Sequence, residues 1–384
     1  MAEIGPIRQA CRLYVEGRLE CAGNRHCPAR PLSLRSTFRC RRLFRRFQEK
    51  PESGTPLVPT LAIGWSPRLG RMKMTTCLSV ALCVDGGNVD QAAVTIASVL
   101  AHLSPGPPLA FHVFYGEPPS RRSRRLETLR VAPHRLFVHY VENRFRNIGI
   151  FDHVTPAALL RLQLGEFLPD LDRVLYLDAD VLAVADIRPL LAADLGDAVV
   201  GAVQDLGLHA AIAEEKVTGR LDYILHVRDA LGWDPDNFAY VNSGMLLLDL
   251  AALRRERFGE RAGQLVLDHP HRFRWRDQDA INLLLRGRVV LLDPRWNSMV
   301  WFLEREPRRG HADMAATVLQ RRDPWLLHFS GPSKPWHGLV DIPDYRRWWR
   351  AAVRTSPIWG LRWFRLLLAT AGAQAWGWIR RERR

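Results

Sequence analysis

Two aspartates, Asp178 and Asp180, follow the apolar run 174–177 and are the residues of this 384-residue chain best suited to chemistry. The β-branched and aromatic residues of the run predict a buried strand. In an extended backbone, residues i and i+2 point to the same face, so both carboxylates are expected to converge on one divalent cation. Hard cations such as Mg²⁺ and Mn²⁺ prefer carboxylate oxygens and commonly join a protein to a diphosphate. A loop with two solvated aspartates is the alternative interpretation.

A second candidate segment contains His328, Gly331 and Lys334 at three-residue spacing. A ring nitrogen of His328 added to two carboxylates suits Mn²⁺ better than Mg²⁺. Gly331 lets the backbone approach a phosphate closely, and Lys334 adds a positive point charge. Taken alone, a histidine beside an apolar run is typical of a packed core. Its position in this motif favours the metal-binding interpretation.

Polar residues at four other positions allow both a binding role and a structural role. Asp85 follows the first predicted strand, where it could also be a turn residue before Gly86. Arg161 lies on a predicted amphipathic helix, where a surface arginine is the alternative. Asn242 could cap the turn before a strand, and Asp277 could cap the helix that follows it. These capping uses can coexist with binding.

From residue 75 onward the sequence alternates between strand and helix patterns. The predicted strands span 77–84, 110–115, 136–140, 174–178, 199–203, 243–249 and 289–292, and the predicted helices span 91–103, 120–131, 156–167, 251–267 and 277–286. This alternation predicts an α/β fold with a parallel-rich, doubly wound sheet. Sheets of this kind bind ligands at the carboxyl ends of their strands.

The net charge of +15 comes from the two ends of the chain. Residues 1–74 hold 15 Lys and Arg against 5 Asp and Glu, and residues 340–384 hold 10 against 3. We therefore expect three parts: an Arg-rich extension over 1–73, disordered or upstream of a true start at Met72 or Met74; a catalytic domain over 75–339; and a tail over 340–384. Because the centre is near neutral, no specific nucleic acid is expected as a partner.

The tail interleaves arginine with tryptophan and leucine, and its charge-free stretch 366–379 is shorter than the ~20 residues that span a bilayer. Trp prefers the headgroup level and Arg pairs with anionic lipid, so we expect an amphipathic helical anchor on an anionic membrane surface. A helical hairpin packed on the domain, with Trp in its core, is the alternative. All six cysteines precede residue 84 and no secretory signal opens the chain. These features predict a cytoplasmic protein, peripheral on the inner face of the plasma membrane.

Six ordered motifs between residues 77 and 337 together resemble a known family. They contain Asp85, Arg161, the pair Asp178 and Asp180, Asn242 within 240–249, Asp277 and Gln278 within 277–282, and His328 within 328–336. In type, order and spacing they are similar to glycosyltransferase family 8, which includes glycogenin and bacterial lipopolysaccharide galactosyl- and glucosyltransferases. The resemblance implies a GT-A-type single Rossmann-like domain with a mostly parallel mixed sheet. It also implies metal-dependent, retaining transfer of glucose or galactose from a UDP-sugar to a glycan or glycolipid such as lipopolysaccharide core.

The resemblance implies a role for each motif as well. Mn²⁺ (or Mg²⁺) would be bound by Asp178, Asp180 and His328. The donor, UDP-glucose or UDP-galactose, would be bound by these residues together with Ala179, Asp85, Arg161, Asn242, Ser243, Asp277, Gln278, Gly331 and Lys334. Asp277 and Gln278 are the candidate catalytic residues, and the acceptor pocket would be built by 205–237. Gln278 would lie beneath the anomeric carbon, but an amide is a poor nucleophile, so a front-face mechanism is favoured.

Two other functional classes fit part of the sequence. A nucleotidyl- or phosphotransferase could use the same metal site, but it should carry a phosphate-cradling loop such as GxGxxG or GxxxxGKS/T, and neither occurs here. The second class is a non-enzymatic protein that binds membranes or nucleic acid through its basic ends. The near-neutral centre argues against its nucleic-acid version.

Overall fold

The computed structural model describes residues 78–147, 155–269, 271–305, 314–337, 342–356, 359–362 and 364–365. All of them belong to one compact unit, Gly70–Arg384. The predicted extension 1–73 and the end of the predicted tail, 366–384, lie outside the described residues. The expected division of the chain into three parts therefore stays a prediction.

Ten strands among the described residues form two sheets. They are β1 (Leu78–Val84), β2 (Leu109–Tyr115), β3 (Arg135–Tyr140), β4 (Arg173–Leu177), β5 (Val181–Ala183), β6 (Val200–Gln204), β7 (Val241–Asp249), β8 (Val289–Leu291), β9 (Ser298–Met299) and β10 (Leu326–His328). The large sheet has the order β3-β2-β1-β4-β7-β6-β8, and the small sheet has the order β5-β10-β9. In the large sheet β7 is antiparallel to β4 and β6, and every other pair is parallel. The expected α/β fold with a mostly parallel mixed sheet is confirmed.

The described helices connect these strands. The α-helices are α1 (Val89–His102), α2 (Arg124–Glu127), α3 (Leu164–Phe167), α4 (Arg188–Leu191), α5 (Leu206–Thr218), α6 (Asp222–Leu225), α7 (Leu250–Arg255), α8 (Phe258–Asp268), α9 (Arg276–Leu284), α10 (Val300–Arg305), α11 (Met314–Arg322) and α12 (Pro343–Thr355). Three 3₁₀ segments (Pro156–Gln163, Pro294–Asn297, Pro335–His337) and one π-helical turn (His226–Ala230) complete them.

Residues of β1 alternate between two hydrophobic cores, one on each face of the large sheet. Val80, Leu82 and Val84 pack in one core, which includes the apolar side of α1. Ala81 and Cys83 pack in the other, which includes α8 and the 3₁₀ segment Pro156–Gln163. Because both faces of this strand are covered, its sequence is a continuous apolar run rather than an alternating one.

The small sheet brings the two candidate segments together. β5 begins directly after residues 178–180, and it pairs with β10 so that Val181 lies opposite His328. The backbone N–H of Asp178 also donates to the carbonyl of Gly244 in β7, at 2.9 Å. Strand pairing therefore makes neighbours of residues that are far apart in the sequence.

Three predicted helices differ in the structure. The helix expected over 120–131 has only the four residues of α2, because Leu126 is its only fully buried apolar side chain and packing supplies most helical stability. The helix expected over 156–167 begins as a 3₁₀ segment and becomes α-helical only in α3. The helix expected over 251–267 is divided into α7 and α8 at Arg257, whose backbone is left-handed with φ 51°.

Helices α5 and α6 were not expected between residues 205 and 237. The N-terminus of α5 is capped by Asp205, whose carboxylate accepts from the backbone N–H of Leu208 at 3.0 Å. The buried positions of α5 are Leu206, Leu208, Ile212 and Glu215, and this set includes a charged residue. A helix that buries so little apolar surface gives a weak periodic signal.

The first part of the predicted tail is a helix packed on the domain. Proline begins α12, and its buried residues Tyr345, Trp348, Trp349 and Ala352 follow the spacing of one helical face. They share a core with Trp359, Trp336, Phe329, Leu327, Leu182 and Val94. In the described residues the tryptophans of the tail therefore lie in a core, as the alternative interpretation expected, and the membrane association of 340–384 stays a prediction. Among the described residues, no helix has the length and apolar content needed to cross a bilayer.

Candidate active site

Asp178 and Asp180 lie in a turn between β4 and β5. The turn is closed by the backbone N–H of Val181, which donates to the carbonyl of Asp178 at 3.3 Å. The expectation that both aspartates lie on one face of an extended strand is therefore wrong, because β4 ends at Leu177 and the chain turns at the two aspartates. The buried hydroxyl of Thr95 fixes this turn by donating to the carbonyl of Ala179 at 3.0 Å.

The turn places both carboxylates beside His328. Nε2 of His328 lies 3.4 Å from Oδ1 of Asp180 and 3.9 Å from Oδ2 of Asp178. One candidate ligand atom from each of the three residues lies within 4.8 Å of the others. Two carboxylate oxygens and an imidazole nitrogen are a donor set that fits Mn²⁺, so the geometry agrees with the predicted metal site.

A chain of amide hydrogen bonds orients His328. Oδ2 of Asp205 accepts from Nδ2 of Asn242 at 3.1 Å, and Oδ1 of Asn242 accepts from Nδ2 of Asn297 at 2.9 Å. Oδ1 of Asn297 then lies 2.9 Å from Nδ1 of His328. Because a carboxylate only accepts, each amide presents its oxygen to the next group, and Nδ1 of His328 carries the proton. Nε2 keeps its lone pair, as a metal ligand requires.

Lys334 lies against the same aspartate turn. Its ammonium donates to Oδ2 of Asp180 at 2.5 Å and to the carbonyl of Phe329 at 2.7 Å. Burial alone would raise the pKa of Asp180, but the ammonium of Lys334 outweighs burial and holds that pKa well below its usual range. Gly331, which lies between His328 and Lys334 in the sequence, has φ 83°. A Cβ at this position would lie 3.1 Å from the indole of Trp301. This position therefore requires glycine.

Arg161 is buried beneath the site, with 5% of its side chain exposed, so the alternative of a surface arginine is wrong. Its guanidinium lies 2.8 Å from Oδ1 of Asp178 and 3.1 Å from Oδ2 of Asp277, and it donates to the carbonyl of Ser243 at 2.8 Å. Burial disfavours the charged guanidinium, but Asp178 and Asp277 outweigh burial and raise the pKa of Arg161 above its ordinary value.

Asp277 and Gln278 begin α9 beside β7. Burial raises the pKa of Asp277 to about 6 despite Arg161, and the nearby charge of Asp178 adds to the rise. The side chain of Gln278 accepts from the N–H of Ser243 at 3.0 Å and donates to Asp205 at 3.1 Å. Asp277 does not cap the helix: the residue at the N-cap is Trp275, without a side-chain cap. Asn242 lies inside β7 and not in a turn before it, and its Oδ1 accepts locally from the backbone N–H of Gly244 at 3.0 Å.

All of the predicted site residues except Asp85 line one cavity of about 380 Å³. Asp85 is a turn residue: its carboxylate accepts from the N–H groups of Gly87 and Asn88, at 2.7 and 3.1 Å. Asn88 lines the cavity in its place. The predicted contact of Asp85 with the UDP-sugar donor stays a prediction.

Several lining residues were missed. They are Asp205 and Tyr223, which lie in the segment 205–237 expected to build the acceptor pocket, and Arg274, Trp275 and Trp301. A further signal existed for Asp205, which lies just beyond the predicted strand 199–203, as Asp85 lies just beyond 77–84. No pattern along the chain indicated Arg274, Trp275 or Trp301, because each reaches the cavity from an element whose position the sequence did not predict.

Known proteins share this arrangement of elements and motifs. The model of glycosyl transferase family 8 matches residues 79–339. General stress protein A of Bacillus subtilis (strain 168) is 25% identical over 285 residues, with 71% of this chain and 92% of that protein covered. Lipopolysaccharide 1,2-glucosyltransferase of Escherichia coli (strain K12) is 26% identical over 304 residues, covering 76% of this chain and 82% of that protein.

A solved structure is similar over the same region. The galactosyltransferase LgtC, in complex with donor and acceptor sugar analogues, is 26% identical with a TM-score of 0.59. The similarity covers 72% of this chain and 96% of that chain. Since the family model spans well over half of the sequence and includes every element that lines the cavity, this chain belongs to glycosyl transferase family 8.

Proposed function

We propose that this chain is a metal-dependent retaining hexosyltransferase. It moves glucose or galactose from a UDP-sugar to a glycan or glycolipid acceptor such as lipopolysaccharide core. The observation that carries the proposal is the cluster of Asp178, Asp180 and His328 beside Lys334, in one cavity with Asp277 and Gln278. The two hexoses are those of the related E. coli glucosyltransferase and of LgtC.

The three clustered side chains would hold Mn²⁺ (or Mg²⁺). When bound, such a cation neutralises negative charge on the diphosphate of the donor. Lys334 supplies a second positive charge to the same diphosphate, which requires its ammonium to move away from Asp180. Gly331 allows the backbone to approach the phosphates because it has no Cβ.

The donor sugar would be held by Asn242, Gln278 and Asp205, whose amide and carboxylate groups suit sugar hydroxyls. Arg161 fixes Asp178 and Asp277 from below. Because its carboxylate is engaged by that arginine, Asp277 is a poor nucleophile.

These pairings favour a front-face reaction. The acceptor oxygen bonds to the anomeric carbon on the side from which the diphosphate oxygen leaves. The departing phosphate oxygen takes the acceptor's proton, so configuration is retained and no enzyme nucleophile is needed.

The acceptor and location are proposed from the tail. Residues 366–384 carry Arg380, Arg381, Arg383 and Arg384 together with two tryptophans. Leu361 and Phe364, each 55% exposed, precede them. We propose that this segment of the chain holds a cytoplasmic enzyme on the inner face of an anionic membrane, where a glycolipid acceptor would be found.

The test is UDP release from a panel of UDP-sugars, with and without Mn²⁺. We expect release from UDP-glucose or UDP-galactose only with a divalent cation, and at least about 100-fold less for Asp178→Asn. Asp172→Asn is the matched control, because its side chain is 89% exposed just before the same strand. NMR of the product should show retained anomeric configuration. Full activity of Asp178→Asn would refute the metal assignment, and no release from any donor would refute the function.

A further inference from the structure

Three residues that line the cavity have no role in the donor site. The rings of Tyr223 and Trp275 are nearly parallel, with centroids 6.0 Å apart and an interplanar angle of 6°. The guanidinium carbon of Arg274 lies 4.3 Å from the centroid of Tyr223 and 5.5 Å from that of Trp275. Tyr223, Trp275 and Arg274 form one group, named the aromatic wall below.

The aromatic wall lies beyond the residues proposed to hold the donor sugar. Nε2 of Gln278 donates to the hydroxyl of Tyr240 at 3.3 Å. The ring of Tyr240 packs near that of Trp275, with the two ring centroids 6.1 Å apart. Trp275 in turn stacks with Tyr223, and the guanidinium of Arg274 stacks on both rings.

Of the proposed metal ligands, Asp178 and Asp180 reach the cavity from the turn before β5 and His328 from the end of β10. Lys334 reaches it from the segment after β10. The placement of the aromatic wall, away from the proposed metal ligands and Lys334, favours the acceptor over the donor diphosphate as the group bound there.

A buried carboxylate fixes this wall. Oδ2 of Asp279, which is fully buried, accepts from the backbone N–H of Trp275 at 2.8 Å. Its Oδ1 accepts from the hydroxyl of Tyr240 at 2.6 Å and lies 3.1 Å from Nε2 of His226. The ring of His226 in turn meets Trp275 edge-on at 5.3 Å. A platform held in this way loses little freedom when a sugar ring packs on it.

Arg274 differs from the other charged residues of the cavity. Arg161 pairs with Asp178 and Asp277, and Lys334 pairs with Asp180. In the described part of the chain no carboxylate lies within ion-pair distance of Arg274, whose contacts are the two rings. Stacking uses the flat face of a guanidinium and leaves its N–H edge available, and that edge matches the two oxygens of a phosphate or carboxylate.

We propose that the acceptor carries an oxyanion, a phosphate or a carboxylate, which Arg274 binds while the acceptor's sugar ring packs on Tyr223 and Trp275. This inference rests on the proposed function, since it concerns the acceptor of that reaction. Arg274 is then a specificity-determining residue, which distinguishes charged from neutral sugars.

The test measures binding of three methyl glycosides to the full chain saturated with UDP and Mn²⁺. The glycosides are those of glucose, glucose 6-phosphate and glucuronic acid. Charge-assisted hydrogen bonds predict about 10- to 100-fold tighter binding of the charged sugars by the wild type. Arg274→Gln should remove this preference, and Arg274→Lys should keep part of it, because charge remains without the forked geometry. The order of the two charged sugars identifies phosphate or carboxylate as the preferred group.

Arg130→Gln is the matched control, an exposed arginine between α2 and β3 that does not line the cavity. This variant should keep the wild-type preference for charged sugars. If it loses that preference as fully as Arg274→Gln does, the preference arises from the overall positive charge of the surface, and the proposal is overturned. The proposal is also overturned if the wild type binds charged and neutral sugars equally, or if it shows no measurable binding of the charged sugars. If Arg274→Gln lowers only the UDP release from UDP-uronic acid donors, Arg274 binds a carboxylate of the donor and not of the acceptor, and the proposal is overturned. UDP release by the wild type without acceptor tests the proposed function separately.

Discussion

Gly244 leaves no room for a side chain beside the proposed metal site. A Cβ at this position in β7 would lie 2.7 Å from Nδ1 and 2.8 Å from Nε2 of His328. The imidazole ring therefore rests directly on the backbone of β7. The carbonyl of the same glycine accepts from Asp178, so one residue supports both ends of the ligand cluster.

Replacing Gly244 by alanine should displace the ring of His328. Its hydrogen bond to Asn297 would then break, and we expect Mn²⁺ to bind about 10- to 100-fold more weakly. The measurement is a Mn²⁺ titration of UDP release, with the fold checked by circular dichroism. Gly165→Ala is the control, because a Cβ there has nothing nearer than 3.4 Å. Wild-type Mn²⁺ affinity in Gly244→Ala would contradict this account of the site.

The sequence identified most of the residues that come together at the cavity, but it did not reveal how they are held. Asp178 and Asp180 stand out locally because they are two carboxylates after an apolar run. Asn297 has no such signal: it ends the 3₁₀ segment Pro294–Asn297, and its partners Asn242 and His328 come from β7 and β10. Contacts of this kind depend on strand order, which local patterns do not determine.

At the scale of elements, α12 supports the segment that carries Lys334. The hydroxyl of Tyr345 donates to the carbonyl of Ser333 at 2.7 Å, and Nε1 of Trp349 donates to the carbonyl of Pro335 at 3.0 Å. These bonds fix the backbone on either side of Lys334. The helix is therefore part of the active-site scaffold.

The alternation of Arg and Trp in this helix fits a membrane anchor and a packed helix equally well. Periodicity reports that one face is apolar, but it does not identify what covers that face. In the structure Trp348 and Trp349 meet Trp336 and Trp359. The family resemblance could not resolve the choice, because its motifs end at residue 337.

Two truncations should distinguish the scaffold role of α12 from the proposed membrane anchoring by residues 366–384. Deleting 366–384 leaves α12 intact, so UDP release should persist while binding to anionic liposomes weakens. Deleting 343–384 removes the buried tryptophans, each worth about 3–5 kcal/mol on truncation, and should abolish both the cooperative unfolding transition and activity.

The measurements are UDP release, thermal unfolding and co-sedimentation with liposomes. Undiminished liposome binding without residues 366–384 would count against the proposed anchor. Full activity of the longer deletion would count against the role of α12.

At the scale of the whole molecule, the large sheet contains a pair of histidines, of which His112 is buried and His139 is half-buried. Nδ1 of His112 in β2 lies 3.1 Å from Nε2 of His139 in β3, and Phe137 and Phe114 stack on these rings. Burial, and then the neighbouring His139, lower the pKa of His112 to about 3. Burial also lowers the pKa of His139.

These shifts predict that folding weakens in mild acid. The unfolded chain takes up protons near pH 6.5, whereas His112 in the fold resists protonation, so stability is fully present above about pH 6.5 and declines as pH falls toward 3. For His112 alone we expect a loss of about 2 kcal/mol between pH 7 and pH 5.

The double variant His112→Phe, His139→Phe keeps the stacked rings without the titrating groups, so its unfolding temperature should depend less on pH than that of the wild type. The difference should be about 4 °C between pH 7 and pH 5 for a domain of this size. His271→Gln, which changes an exposed histidine, controls for the loss of one imidazole and should follow the wild type. Parallel curves for the double variant and the wild type would show that acid acts on another part of the fold.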